Sequence, residues 1–214
     1  MKNAAVGFRV HSGWAAMVAV ALKKGEPVVL CRERPHLVKI FNYSYRQPYH
    51  TAKSIPLEEG RAFISKMKEE ARGLARTALR EMQGRLREAG YDLSRCAVLL
   101  ASGRELPKLE EILAAHPLMH TADGELFREA LVHAGGKCGL EVLWVRELEL
   151  LSSAAKAFGR REEALLRRVT EAGRGMGPPW SQDEKFATLA AWLALASGSM
   201  DGSKPSKNRR AEKD

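Results

Sequence analysis

Three apolar segments open the chain and predict three strands. Residues 4–10 and 14–22 are rich in Val, Ala and Met and are separated by a His-Ser-Gly turn, and a third apolar run, 27–31, follows a Lys-Gly turn. Short apolar runs joined by glycine-containing turns are typical of β-hairpins. The pattern therefore predicts a three-stranded antiparallel meander.

The apolar spacing then changes to that of a helix. From Leu57 to Ala89 apolar residues recur at steps of three or four, which places them on one face of an α-helix. These residues are Phe63, Met67, Ala71, Leu74, Ala78, Met82 and Leu86. A long amphipathic helix is predicted here, ending near Gly90.

Two continuously apolar runs, 95–101 and 140–145, have the composition of strands that are covered on both faces. Helices are predicted between them at 108–115, ended by Pro117, and at 125–134, capped by Thr121 or Asp123. Strands that alternate with helices imply a parallel arrangement. The second half of the sheet is therefore expected to be parallel.

Helices are also predicted at 148–158, 162–172 and 182–196. Ser181 stands three residues before Glu184, the spacing of a reciprocal N-terminal cap for the last helix. The predicted fold class is α/β, with a mixed sheet made of the meander and the parallel strands, flanked by helices. We expect a single domain over residues 1–196 and a disordered basic tail over 197–214, which is rich in Gly, Ser, Lys and Arg.

The formal net charge of +9 predicts a polyanionic partner such as nucleic acid, although surplus lysine and arginine also maintain solubility. No apolar run reaches the length of about 20 residues that a membrane helix needs, and none resembles a signal peptide. A cytoplasmic protein without a membrane partner is expected. Cys31, Cys96 and Cys138 lie far apart beside apolar residues and are interpreted as buried thiols.

Residues 32–53 combine basic and aromatic side chains, a mixture that suits single-stranded nucleic acid. Cations neutralise phosphates, and aromatic rings stack on bases with about 1 to 3 kcal/mol each. The candidate nucleic-acid contacts in this segment are Arg32, Arg34, Tyr43, Tyr45, Arg46 and Tyr49. The alternative is a surface loop whose tyrosines pack on the domain.

A basic row on the long predicted helix offers a second candidate surface. Its members recur every four residues over about 18 Å, a spacing that can follow a phosphate backbone. They are Lys68, Arg72, Arg76 and Arg80. Because three glutamates lie nearby, the row also fits an ordinary solvated helix face.

His116 and His120 stand four residues apart, which is a metal-ligand spacing on a helix. Pro117 lies between them and argues against one continuous helical face. No third ligand is evident nearby in the sequence. Neither a metal site nor a cofactor is therefore predicted.

The order of the predicted elements resembles the ribonuclease H-like superfamily, which includes Holliday-junction resolvases and the middle domain of translation release factors. The resemblance covers roughly residues 4–196. It is carried by VGFRVHSGW at 6–14 in the first hairpin, AVLLASG at 97–103 in the central strand, and DEKFATLAA at 183–191 in the last helix.

Nucleases of this superfamily hold two divalent ions with carboxylates from the first strand, the central strand and the last helix. By position, Arg9 replaces the aspartate of the first strand, and Ala101 and Ser102 stand where the central strand would supply a glutamate. Asp183 matches the acid of the last helix. The resemblance therefore implies an incomplete two-metal site.

Three hypotheses follow. The leading one is a ribonuclease H-like domain that binds RNA or single strands without a complete nuclease site. The second is an enzyme acting on phosphodiesters or nucleotides, with candidate catalytic residues Arg9, His11, Ser12 and Asp183. The third is a protein-interaction domain whose positive charge is incidental.

Overall fold

A computed structural model describes residues 1–101 and 105–197. Ser102 and residues 198–214, which were interpreted from sequence, lie outside the described residues. The strands are β1 (Lys2–His11), β2 (Trp14–Lys23), β3 (Glu26–Glu33), β4 (Tyr91–Leu100) and β5 (Glu141–Arg146). The helices are α1 (Tyr43–Arg46), α2 (Pro48–Ala52), α3 (Leu57–Glu88), α4 (Leu109–Ala114), α5 (His116–Lys137), α6 (Leu150–Phe158), α7 (Glu162–Ala172) and α8 (Gln182–Ser197).

The strands form one mixed sheet in the order β3-β2-β1-β4-β5. β2 pairs antiparallel with β1 and with β3, whereas β4 pairs parallel with β1 and with β5. In the centre of the sheet, Phe8 of β1 lies between Met17 of β2 and Val98 of β4. The predicted meander and the predicted parallel strands are both confirmed.

Helices cover both faces of the sheet. On one face, Phe8 packs in a core with Met67 and Leu79 of α3 and Phe127 of α5. On the other face, α8 lies across the sheet and is flanked by α6 and α7. None of the described helices combines the length and the apolar character that a membrane span requires.

Gly7 explains how closely α8 approaches β1. A Cβ atom at this position would stand 1.9 Å from the carbonyl oxygen of Ala187 and 2.9 Å from the amide nitrogen of Ala191. Because glycine has no side chain, the backbone of α8 contacts the backbone of β1 directly. This contact holds α8 close against the middle of β1.

The parallel strands β1, β4 and β5 all end at the same side of the sheet. The β1–β2 turn and the start of α8 lie there too, since Arg9 of β1 reaches Asp183 in the first turn of α8. We call this side the carboxyl edge. Side chains that are remote in sequence meet here.

The structure corrects the prediction for α5, which begins at His116 rather than near residue 125. Pro117 occupies the first turn of α5, where the missing N–H of proline is tolerated, and α4 ends shortly before it, at Ala114, as predicted. Thr121 and Asp123 consequently lie inside the helix and do not cap it. β4 likewise begins at Tyr91, four residues before the predicted strand.

Candidate functional site

An ionic cluster occupies the carboxyl edge. Arg9 of β1 donates from Nη2 to Oε1 of Glu147, directly after β5, over 2.6 Å, and from Nη1 to Oδ1 of Asp183. His11 Nε2 lies 2.9 Å from the same oxygen of Asp183. The structure thus brings together three of the four candidate catalytic residues, and it adds Glu147, which the sequence did not indicate.

The two carboxylates balance the positive charge of Arg9 and stabilise its protonated form. The hydrogen bond with Glu147 is the main cause of the raised pKa of Arg9; burial opposes it, and Asp183 adds to the increase. Arg9 also lies over the ring of Phe186, 5.5 Å from its centroid. The guanidinium charge is therefore matched by neighbouring acids and is not free to hold a phosphate.

Ser12, the fourth candidate catalytic residue, follows His11 in the β1–β2 turn. Its backbone oxygen accepts a hydrogen bond from Arg46 over 3.0 Å. Within the described part of the chain, no hydrogen bond joins its hydroxyl to His11 or Asp183. The nucleophile-to-base contact that would activate a serine is not formed here.

A second set of contacts ties β3 and the β1–β2 hairpin to α8. Arg34 donates to Glu184 over 2.6 Å and lies over the ring of Trp14, 4.9 Å from its centroid. Trp14 also stacks on His11, with ring centroids 4.4 Å apart. Glu184 accepts hydrogen bonds from the amide and the hydroxyl of Ser181, which confirms the predicted cap of α8.

A cleft of about 420 Å³ opens next to the ionic cluster. It lies between the ends of β1 and β4 and the first half of α5, and none of the described residues that line it is acidic. His11 and Ser12 line it from the hairpin side, and His120 and Arg128 line it from α5. Its polar groups are therefore neutral or cationic, a lining that suits an anion.

The tyrosines of segment 32–53 differ widely in exposure. Tyr43 is 63% exposed, whereas Tyr45 is half-buried and packs edge-on against Phe63. Tyr49 is only 4% exposed, and burial is the main reason that its pKa rises to about 12. The ring of Tyr49 belongs to the core, as in the alternative in which the tyrosines pack on the domain.

Two arginines of the same segment carry charges that no described carboxylate matches. Arg32 donates to the carbonyl oxygens of Met176 and Pro178, over 3.2 and 2.8 Å. Arg46 donates to the carbonyl oxygen of Ser12 and lies 4.6 Å from the ring centroid of Phe41. Carbonyl groups fix these side chains but leave their positive charge uncompensated.

The predicted basic row on α3 is not uniform. Arg72 is paired with Glu129 of α5 over 2.5 Å and with Glu69 over 2.6 Å, so its charge is neutralised. Lys68 is half-buried, and Arg76 and Arg80 are exposed. The interpretation of four equivalent phosphate contacts is therefore corrected, because Arg72 serves to join α3 to α5.

The structure also groups three histidines that the sequence kept apart. His50 of α2 joins His116 and His120 of α5, and one nitrogen from each lies within 4.8 Å of the others. The argument from Pro117 against a common helical face for His116 and His120 is corrected, because both lie in α5, and the sequence did not indicate the third member. No local signal marks His50, because the fold alone brings α2 beside α5.

Comparison with solved structures shows that this architecture is similar to that of a known protein. RuvC of Thermus thermophilus in complex with Holliday junction substrate matches 95% of this chain and 99% of its own, with a TM-score of 0.54 and 16% identity. A second T. thermophilus RuvC structure matches 92% of this chain and 96% of its own, with a TM-score of 0.52 and 14% identity. No protein-family model and no curated protein matches the sequence. At these identities the likeness concerns the fold.

Proposed function

The chain has the ribonuclease H-like fold that the order of its elements predicted, and we propose that it binds nucleic acid without cleaving it by a two-metal mechanism. One observation carries the proposal: the guanidinium of Arg9 is bonded to both Glu147 and Asp183. The positive group between these two carboxylates is thus a side chain of the protein itself.

Two-metal hydrolysis of a phosphodiester needs several carboxylates that converge on two divalent ions. At the carboxyl edge Glu147 and Asp183 are engaged by Arg9, which stays protonated and repels a divalent ion, and Glu184 is engaged by Arg34. Among the described residues, no three acids lie close enough to share an ion. These observations support binding over cleavage.

The cleft supports phosphate as the bound group. Arg128 lines it from α5 and forms an ion pair with Glu125 over 3.2 Å. Arg46 stands behind the hairpin that forms the opposite wall. A cleft whose described lining residues include no acid, beside Arg46, whose charge no described carboxylate matches, attracts a polyanion and raises its local concentration.

We propose that the backbone of the nucleic acid, rather than its bases, provides most of the affinity. Of the three tyrosines in segment 32–53, only Tyr43 exposes most of its surface. Base stacking therefore has few partners, whereas phosphate contacts have several. Since the similar T. thermophilus protein was solved with a Holliday junction, branched DNA is the first ligand to test, with RNA and single strands as the alternatives.

The test is a fluorescence-anisotropy titration with a four-way junction, a single strand and an RNA hairpin, each in the presence of a chelator. We expect affinity to fall at least about tenfold between about 50 and about 200 mM salt, because bound counterions are released. Failure to bind any of the three at the lower salt concentration would overturn the proposal.

Arg128→Gln locates the site, and Arg167→Gln is its matched control. Arg167 is exposed on α7, on the opposite face of the sheet from α5. We expect the cleft variant to bind about five- to tenfold more weakly and the control to bind like the wild type. Equal affinities in two folded variants would show that the cleft is not the binding surface.

A further inference from the structure

Three histidines from two helices meet beside the cleft. The ring centroids of His50 and His120 are 4.5 Å apart, as are those of His116 and His120, and those of His50 and His116 are 5.2 Å apart. His116 and His120 are exposed, and His50 lies behind them. One potential ligand nitrogen from each lies within 4.8 Å of the other two.

Asp123 fixes the orientation of His50. Its Oδ2 lies 2.6 Å from Nδ1 of His50, and its Oδ1 accepts the backbone N–H of Tyr49 over 2.7 Å. The carboxylate is buried and spans from α5 to α2. A carboxylate that receives the proton of Nδ1 leaves the lone pair on Nε2, which is the arrangement of carboxylate–histidine–metal sites.

Nε2 of His50 is buried and has no hydrogen-bond partner among the described residues. The side chain as a whole is only 10% exposed. A buried polar nitrogen without a partner destabilises the folded state, so its position calls for an explanation. His116 packs edge-on against His50 and His120, but ring packing does not supply a partner to this nitrogen.

We propose that His50, His116 and His120 bind a transition-metal ion of the zinc class. Imidazole nitrogens suit Zn²⁺, Co²⁺, Ni²⁺ and Cu²⁺, whereas Mg²⁺ and Ca²⁺ prefer oxygen ligands. The ion is the partner that Nε2 of His50 otherwise lacks. His116 and His120 are exposed, so their rings are less constrained by packing than that of His50.

The position of this site has a consequence for the cleft. Three protein ligands leave the fourth position of a tetrahedral ion to water or to another ligand. His120 belongs to the histidine cluster and also lines the cleft beside Arg128. A bound ion therefore adds positive charge at the margin of the cleft.

The test is calorimetric titration of tag-free, chelator-treated protein with Zn²⁺, repeated with Co²⁺ to record its visible absorption. We expect one equivalent to bind and excess Mg²⁺ not to compete. Zinc should also raise the melting temperature, because it binds only the folded state. Absence of stoichiometric binding would overturn the proposal.

Variants identify the ligands. His120→Ala removes an exposed ring and should weaken zinc binding by at least about 100-fold. His133→Ala, on the same helix but outside the cluster, is the matched control and should bind zinc like the wild type. Equal affinities in these two variants would exclude the site.

Asp123→Asn tests the orienting carboxylate and should reduce zinc affinity about 10- to 100-fold. If this buried variant fails to fold, His120→Ala still decides the matter. Because the nucleic-acid titration is done in a chelator, failure of the metal site and failure of nucleic-acid binding are distinguished.

Discussion

At the residue scale, Glu184 is a buried acid whose neighbours keep it ionised. It is 2% exposed, and it accepts hydrogen bonds from Ser181 and from Arg34. Desolvation is the largest single influence and favours the neutral acid, but the bonds from Ser181 and Arg34 together outweigh it and lower the pKa of Glu184 to about 2. Glu184 therefore joins the end of β3 to the start of α8 as a carboxylate.

We expect Glu184→Gln to destabilise the protein at pH 7 by on the order of 2 to 3 kcal/mol. The folded pKa of about 2 lies below the ordinary value of 4.5, so this contribution is present in full above pH 4.5. It is lost as the pH falls through about 2. Urea unfolding at pH 7, 4.5 and 3 measures the difference from the wild type, which should shrink towards acid.

Glu81→Gln is the control, since Glu81 is exposed on α3. Its free energy of unfolding should stay close to that of the wild type at every pH. A destabilisation by Glu184→Gln that does not change with pH would contradict the role assigned to ionised Glu184.

The sequence revealed some site residues and missed others for a physical reason. Arg9 and Asp183 were found together because the order of elements aligned them with positions in a known fold. Glu147 was missed because its partner Arg9 lies 138 residues away in the chain. Tyr49 was misjudged because its burial depends on how α2 packs against α3 and α5, which no local pattern records.

At the scale of elements, the contact between β1 and α8 depends on Gly7. We expect Gly7→Ala to destabilise the fold by at least about 2 kcal/mol, because the added methyl group would collide with backbone atoms that have no rotamer to change. Urea-induced unfolding measures the loss.

Gly84→Ala provides the matched control. Gly84 lies in α3, and no described atom comes within 4 Å of the place that an added methyl group would take. Alanine there should therefore be neutral or should stabilise the protein by about 0.5 to 1 kcal/mol. Wild-type stability of Gly7→Ala would show that α8 can move away from the sheet at little cost.

Element boundaries were predictable where the apolar pattern was strong. The prediction for α3 was within one residue, since its apolar residues recur over 32 positions and Gly90 follows. α5 was predicted too short because Pro117 was interpreted only as the end of the preceding helix, whereas it also lies in the first turn of α5.

At the scale of the whole molecule, the ionic cluster predicts how the protein behaves towards its ligand. Incubation with branched, single-stranded and hybrid nucleic acids in Mg²⁺ or Mn²⁺ should leave every strand intact on a denaturing gel, because Arg9 occupies both acids. Cleavage by the wild type that disappears in Asp183→Asn would overturn this expectation.

The overall architecture was predictable because the spacing of apolar residues distinguishes the strands from the helices, and because the order of these elements matches a known fold. The cleft and the histidine cluster were not, since both are formed by segments that approach one another only after folding. His50 and His120, for example, are 70 positions apart in the chain, yet their rings touch.

Because Arg9 bridges Glu147 and Asp183, the positive charge that balances these two acids at the carboxyl edge belongs to the protein itself. A site filled by dissolved magnesium depends on the concentration of that ion in the surroundings, and a chelator empties it. A tethered guanidinium is present whenever the chain is folded. The electrostatic balance that holds β1, β5 and α8 together should thus be the same in magnesium-rich and magnesium-depleted solution.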